Sequence, residues 1–84
     1  MPTRPEVFRH LTAAEQLALV WGEGEYLARR WEKNTEVLLY HMPADFFAEV
    51  YYDNQGYRLV RIDTFTKPEP LALYAAYVRL PPLT

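Results

Sequence analysis

The chain has 84 residues and a formal net charge of −2, with half its residues hydrophobic and 15% aromatic. That is length for a single domain, residues 1–84, and the aromatic content excludes bulk disorder. With no cysteine, disulfides and thiolate metal sites are excluded, and the slight acidic balance argues against a nucleic-acid partner.

Residues 1–10 carry Pro2, Pro5 and charges at Arg4, Glu6 and Arg9. They are expected to form an extended arm anchored by Val7 and Phe8, and they lack the apolar run of a signal peptide. Thr12 with Glu15 three residues on is a capping box, so a helix is predicted over residues 13–21. Ala14, Leu17, Ala18 and Trp21 share one face at helical spacing, and Gly22 is the expected stop.

Strands are predicted near residues 25–32, 36–42, 46–53 and 57–66. The segments Val37-Leu38-Leu39-Tyr40 and Phe46-Phe47-Ala48-Glu49-Val50-Tyr51-Tyr52 have the β-branched and aromatic character of a pleated surface. Turn residues separate them at Lys33-Asn34-Thr35, Pro43-Ala44-Asp45 and Asn54-Gln55-Gly56. A three-residue loop at 43–45 puts Leu38 opposite Val50 and Tyr40 opposite Ala48. A type I turn with Gly56 left-handed puts Asp53 opposite Tyr57, Tyr51 opposite Leu59, Val50 opposite Val60 and Ala48 opposite Ile62. The first hairpin has no preferred register, since Leu27 and Trp31 compete with Tyr26 and Ala28. One face then holds Leu38, Tyr40, Met42, Phe46, Ala48, Val50, Tyr52, Val60 and Ile62, which is a core face.

Two prolines around Glu69 suit a helix entrance, and Leu71, Tyr74, Ala75 and Val78 keep helical spacing. A short helix is predicted over residues 70–79, with a fifth strand as the competing reading. The expected fold is α+β: an N-terminal helix, a four-stranded antiparallel meander and a short C-terminal helix.

The second sheet face is mixed. Val37, Leu39, Tyr51 and Leu59 form an apolar group that two helices on the other side would leave exposed. Such a patch marks an interface with protein, either a second copy or another chain. If one helix lies on each face, the patch is instead closed. His41, Glu49, Arg61 and Asp63 form a polar cluster on the same face, with Glu49 and Arg61 directly opposite. It reads first as a cross-strand ion pair beside a solvated histidine, and second as a ligand site or unusual active centre. The chain has no serine or cysteine nucleophile, and no spaced histidine motif, so neither covalent catalysis nor a resident metal or cofactor is expected. Gly22-Glu23-Gly24 lacks the third glycine and lysine of a phosphate loop.

The pattern Val37-Leu38-Leu39-Tyr40, then Asp45 to Asp53, then Val60-Arg61-Ile62-Asp63-Thr64-Phe65 resembles one in short uncharacterised bacterial α+β proteins. The resemblance implies an antiparallel meander and a bacterial source, and it carries over no activity and no functional residue. The expected function is a non-enzymatic protein-interaction module, self-associating or docking a partner through one sheet face, in the cytoplasm. No membrane partner is expected.

Overall fold

Pro5 begins the first ordered element of the chain, whose computed structural model describes residues 1–55 and 58–74. Residues 1–10 are not an extended arm throughout: Pro5–Phe8 form a short helix, α1, with the proline at its first position. There its missing N–H is no loss and its fixed φ suits the helix. Phe8 is fully buried and meets Phe46 edge-on, with ring centroids 5.5 Å apart. Val7 points to solvent instead of sharing that anchor.

The second helix, α2 (Ala13–Glu23), starts at the expected capping box. The Thr12 N–H donates to Glu15 Oε1 at 2.9 Å, and the Glu15 N–H donates to Thr12 Oγ1 at 3.2 Å. The helix runs through Gly22 and is capped by Gly24, whose N–H donates to the Val20 carbonyl. A Cβ on Gly24 would lie 2.6 Å from that carbonyl oxygen and 3.0 Å from Met42 Sδ. A side chain at this position would push the end of α2 off the sheet. The inward face of α2 is rotated from the expected one. Val20 is fully buried, Leu17 is half-buried, and Trp21 stands 64% exposed.

Four strands follow as an antiparallel meander in the order β1-β2-β3-β4: β1 (Glu25–Glu32), β2 (Thr35–Met42), β3 (Phe46–Asp53) and β4 (Leu59–Phe65). The β2–β3 register is the expected one, Leu38 opposite Val50 and Tyr40 opposite Ala48. Its turn places Asp45 in the left-handed region, φ 64°, a conformation that aspartate tolerates better than most residues.

The β3–β4 register differs from the expected one. The Asp53 N–H donates to the Arg58 carbonyl, so the loop is one residue longer than a three-residue turn. The expected Asp53–Tyr57 pair and the left-handed Gly56 involve residues outside the described ones. A bulge then leaves Val60 unpaired between Leu59, opposite Tyr52, and Arg61, opposite Tyr51. One residue from the loop and one from the bulge give a two-residue shift, so Val50 faces Ile62 and Glu49 faces Asp63. Because side chains alternate, a shift of two keeps Ile62 on the core face. Leu59 and Val60 exchange roles: Leu59 packs against the core, and Val60 is exposed.

In the first hairpin a bulge at Leu27 resolves the ambiguous register, with Tyr26 opposite Tyr40 but Ala28 opposite Leu39. Tyr26, Arg29 and Trp31 thus fall on the same face as Leu38 and Tyr40. Both edge strands carry a bulge, a device that discourages further strand pairing.

The core lies between the first face and the helices. Phe8, Val20, Met42, Phe46, Ala48 and Val50 are its fully buried members. Burial of each large apolar side chain among them contributes about 1.5–3 kcal/mol. The expected C-terminal helix is present as a 3-10 helix, Glu69–Tyr74, and the predicted continuation through residue 79 lies outside the described residues. Among the described residues, no helix is long and apolar enough to cross a membrane.

Candidate functional site

The second sheet face is covered around Val37, Leu39 and Tyr51, while Arg61 and Asp63 at its β4 edge are exposed. Val37 and Leu39 are buried to 0% and 2% exposure, and Tyr51 is buried with them. The expected exposed patch is therefore corrected: these three side chains are interior, and Leu59 is on the other face. Tyr74 of the 3-10 helix is buried against this face. The arrangement is the alternative in which each face of the sheet has its own cover.

The charged residues beneath that cover form a network that sequence reasoning missed in part. Glu49 is buried, and its partner is Arg30 of β1. Arg30 Nη2 donates to Glu49 Oε2 at 3.3 Å and to Tyr51 Oη at 3.1 Å, while Nη1 donates to Glu32 Oε2 at 3.0 Å. Tyr74 Oη donates to Glu49 Oε2 at 2.6 Å. The Arg30 guanidinium also lies over the Tyr74 ring, 5.4 Å from its centroid, a favourable placement for a cation. Burial and the hydrogen bond to Glu49 push the Tyr74 hydroxyl far above the ordinary phenol range. Burial, then the Glu49 charge, raises Tyr51 as well. Burial opposes the charge on Arg30, but Glu32, Tyr74 and Glu49 outweigh it, and its pKa rises.

Arg30 and Tyr74 could not be assigned to Glu49 from the sequence. Arg30 lies on the strand whose register was ambiguous, and Tyr74 sits in the segment that could be read as helix or strand. The one usable signal was an arginine and a glutamate that fall on the same face once a two-residue turn sets Arg30 opposite Val37.

The predicted cluster of His41, Glu49, Arg61 and Asp63 is one face but not one site. Glu49 faces Asp63 across the strands, and Arg61 faces Tyr51. Like charges opposite one another are unfavourable, and the two carboxylates are drawn to different cations. Asp63 Oδ2 accepts from Arg61 Nε at 3.0 Å, and that exposed guanidinium lies 3.9 Å from the centroid of the Tyr51 ring. His41 Nε2 is 3.1 Å from Asp45 Oδ1 in the adjoining turn, and its ring packs beside Phe47, which stacks on Phe65. Glu49 receives donors on both oxygens and meets no open space, so it is poorly disposed to exchange protons with a substrate. Among the described residues, no group of three or more His, Asp or Glu side chains is placed to hold a metal ion.

Among the described residues, the first face is open at one end. Helix α2 packs over β2 and β4 toward the end that carries Met42 and Phe46. The opposite end of that face has a hollow of about 220 Å³ lined by Glu36, Leu38, Tyr52, Asp53 and Asn54. Trp31, opposite Glu36 in the register, is 40% exposed beside it. Arg29, opposite Leu38, forms an exposed ion pair with Glu36 at 3.3 Å. Tyr26 continues the exposed row along β1 and makes an edge contact with Tyr40.

Comparison with known proteins adds no relative: no family model, no curated protein and no solved structure matches the chain.

Proposed function

We propose that this protein is a small non-enzymatic binding module that docks a segment of a partner protein on the end of its first sheet face that the described residues leave uncovered. The observation that carries the reading is the hollow floored by Leu38 and Tyr52 with the exposed Trp31 indole beside it. Tryptophan, tyrosine and arginine are the residues that dominate protein interfaces, and Tyr26, Arg29 and Trp31 stand in one row along β1.

Size favours a protein segment over a small molecule. Pockets that enclose drug-sized ligands have about 300–1,000 Å³, whereas the hollow has about 220 Å³, room for one large side chain. Its rim holds the carboxylates of Glu36 and Asp53. The complementary occupant is a large apolar side chain next to a lysine or arginine. Bulges and charges on both edge strands favour contact through side chains over addition of a strand. We place the protein in the cytoplasm on its cysteine-free composition.

The test is to pan a displayed random-peptide library on the natural chain and on Trp31→Ser. Enriched peptides should share a large apolar residue beside a basic one, and Trp31→Ser should lose them. Enrichment that is indifferent to Trp31 would overturn the reading.

A further inference from the structure

The hollow on the first face is built around one carboxylate. Trp31 of β1, Glu36 of β2 and Tyr52 of β3 are direct neighbours across the strands, so their side chains leave the same face of the sheet in one row. Glu36 therefore has an indole on one side and a phenol on the other. In the next row Arg29 stands opposite Leu38 and reaches diagonally to Glu36, with Nη1 3.3 Å from Oε2. That contact is one nitrogen on one oxygen, and the Arg29 side chain is 61% exposed against 26% for Glu36. An exposed ion pair of this kind contributes little. Among the described residues, Arg29 is the only cation within ion-pair distance of Glu36. The second carboxylate of the rim, Asp53, already accepts the Gln55 N–H at Oδ1, so Glu36 is the one better able to change partner.

A planar cation suits this row better than a compact one. A guanidinium stacks on aromatic faces and grips a carboxylate with two parallel N–H bonds, whereas an ammonium is a strongly hydrated point charge. Given a protein segment docked at the hollow, as proposed above, we infer that its basic residue is an arginine, which takes Glu36 from Arg29. Glu36 then sets the choice of arginine over lysine, and Arg29 is an internal competitor for the same carboxylate. Exchanging one guanidinium for another leaves no buried charge unpaired, because Arg29 turns into solvent that already surrounds most of its side chain. Leu38 and the two rings remain as the apolar bed for the neighbouring side chain of the segment.

The test is an NMR titration of the isotope-labelled chain with N-acetyl-leucyl-arginine amide and with its lysine and norleucine counterparts. The Trp31 indole N–H is the reporter, and Trp21 on α2 is the control. The arginine peptide should bind several-fold more tightly than the lysine peptide, and Glu36→Gln should remove that preference. Arg29→Ala should tighten the arginine peptide about two- to fivefold, the scale of an exposed ion pair. Equal affinity for the arginine and lysine peptides, a preference that survives Glu36→Gln, or binding no tighter in Arg29→Ala would each overturn the inference. A Trp31 response equal for all three peptides would leave the docking surface standing and end its arginine specificity. A Trp31 silent to all three would remove the surface and the inference together.

Discussion

The Tyr74 hydroxyl donates to Glu49 Oε2 at 2.6 Å across the second sheet face, joining the C-terminal 3-10 helix to the central strand β3. Glu49 is already committed to Arg30, so one carboxylate holds an edge strand, the sheet centre and the cover together. Tyr74→Phe keeps the ring and deletes the bond. Hydrogen bonds to charged groups contribute about 1.5–3 kcal/mol, and the loss should appear as a lower urea midpoint with an unchanged slope.

The Arg30–Glu49 pair should be costly to break and cheaper to replace. Glu49→Leu leaves a buried guanidinium with only Glu32 and Tyr51 as partners, and breaking a buried pair costs about 3–5 kcal/mol. Arg30→Met combined with Glu49→Leu removes both charges and should recover much of that loss. A double-mutant cycle by chemical denaturation measures the coupling; additive single effects would show that the two side chains do not act as a pair.

Two neighbouring glycines should respond in opposite directions to alanine. Gly22 is inside α2 with open space where a Cβ would go, so Gly22→Ala should stabilise by about 0.5–1 kcal/mol. At Gly24 a Cβ would meet the Val20 carbonyl oxygen at 2.6 Å. Gly24→Ala should destabilise by about 1–3 kcal/mol, as overpacking does. Thermal melts of the two variants, straddling the natural chain, are the check.

Lys33 occupies the left-handed region at φ 56° in the tight turn between β1 and β2. Glycine is the residue that such a hairpin position favours. Lys33→Gly relieves about 1–2 kcal/mol of left-handed strain against about 0.5–1 kcal/mol of added chain entropy cost, so Tm should rise by a few degrees, on the order of 2–8 °C. An unchanged or lower Tm would mean that the lysine is held there without cost.

Glu15 gives a prediction about acid. Its pKa is lowered by the hydrogen bond from the Thr12 backbone and then by the Thr12 side chain. A carboxylate with a depressed folded pKa contributes stability that is present above its unfolded pKa and lost as pH falls through the folded value. The stability difference between the natural chain and Glu15→Gln should therefore shrink on acidification below the ordinary glutamate range. Denaturation across an acid pH series reads it, and a difference independent of pH would remove Glu15 from the cap.

Local chemistry determined much of this protein. The capping box at Thr12 and Glu15, the strand positions, the three-residue turn at Asp45 and the β2–β3 register all follow from residues close in sequence, because caps, turns and alternation act over a few positions. Tertiary structure decided the rest. Val20 turns inward and Trp21 outward because α2 packs Val20 into the cluster of Phe8, Met42 and Phe46, contacts between elements that local periodicity does not contain. The two-residue turn after β1 put Arg30 opposite Val37 and so on the face of Glu49, the longer β3–β4 connection put Leu59 on the core face, and the bulge at Val60 returned Ile62 to it. The cover on the second face joins Tyr74 to Glu49, two residues 25 positions apart in sequence. The same sheet pattern could have left that face open, and Tyr74 packing on Arg30 and Glu49 is a contact between distant segments that the pattern does not contain.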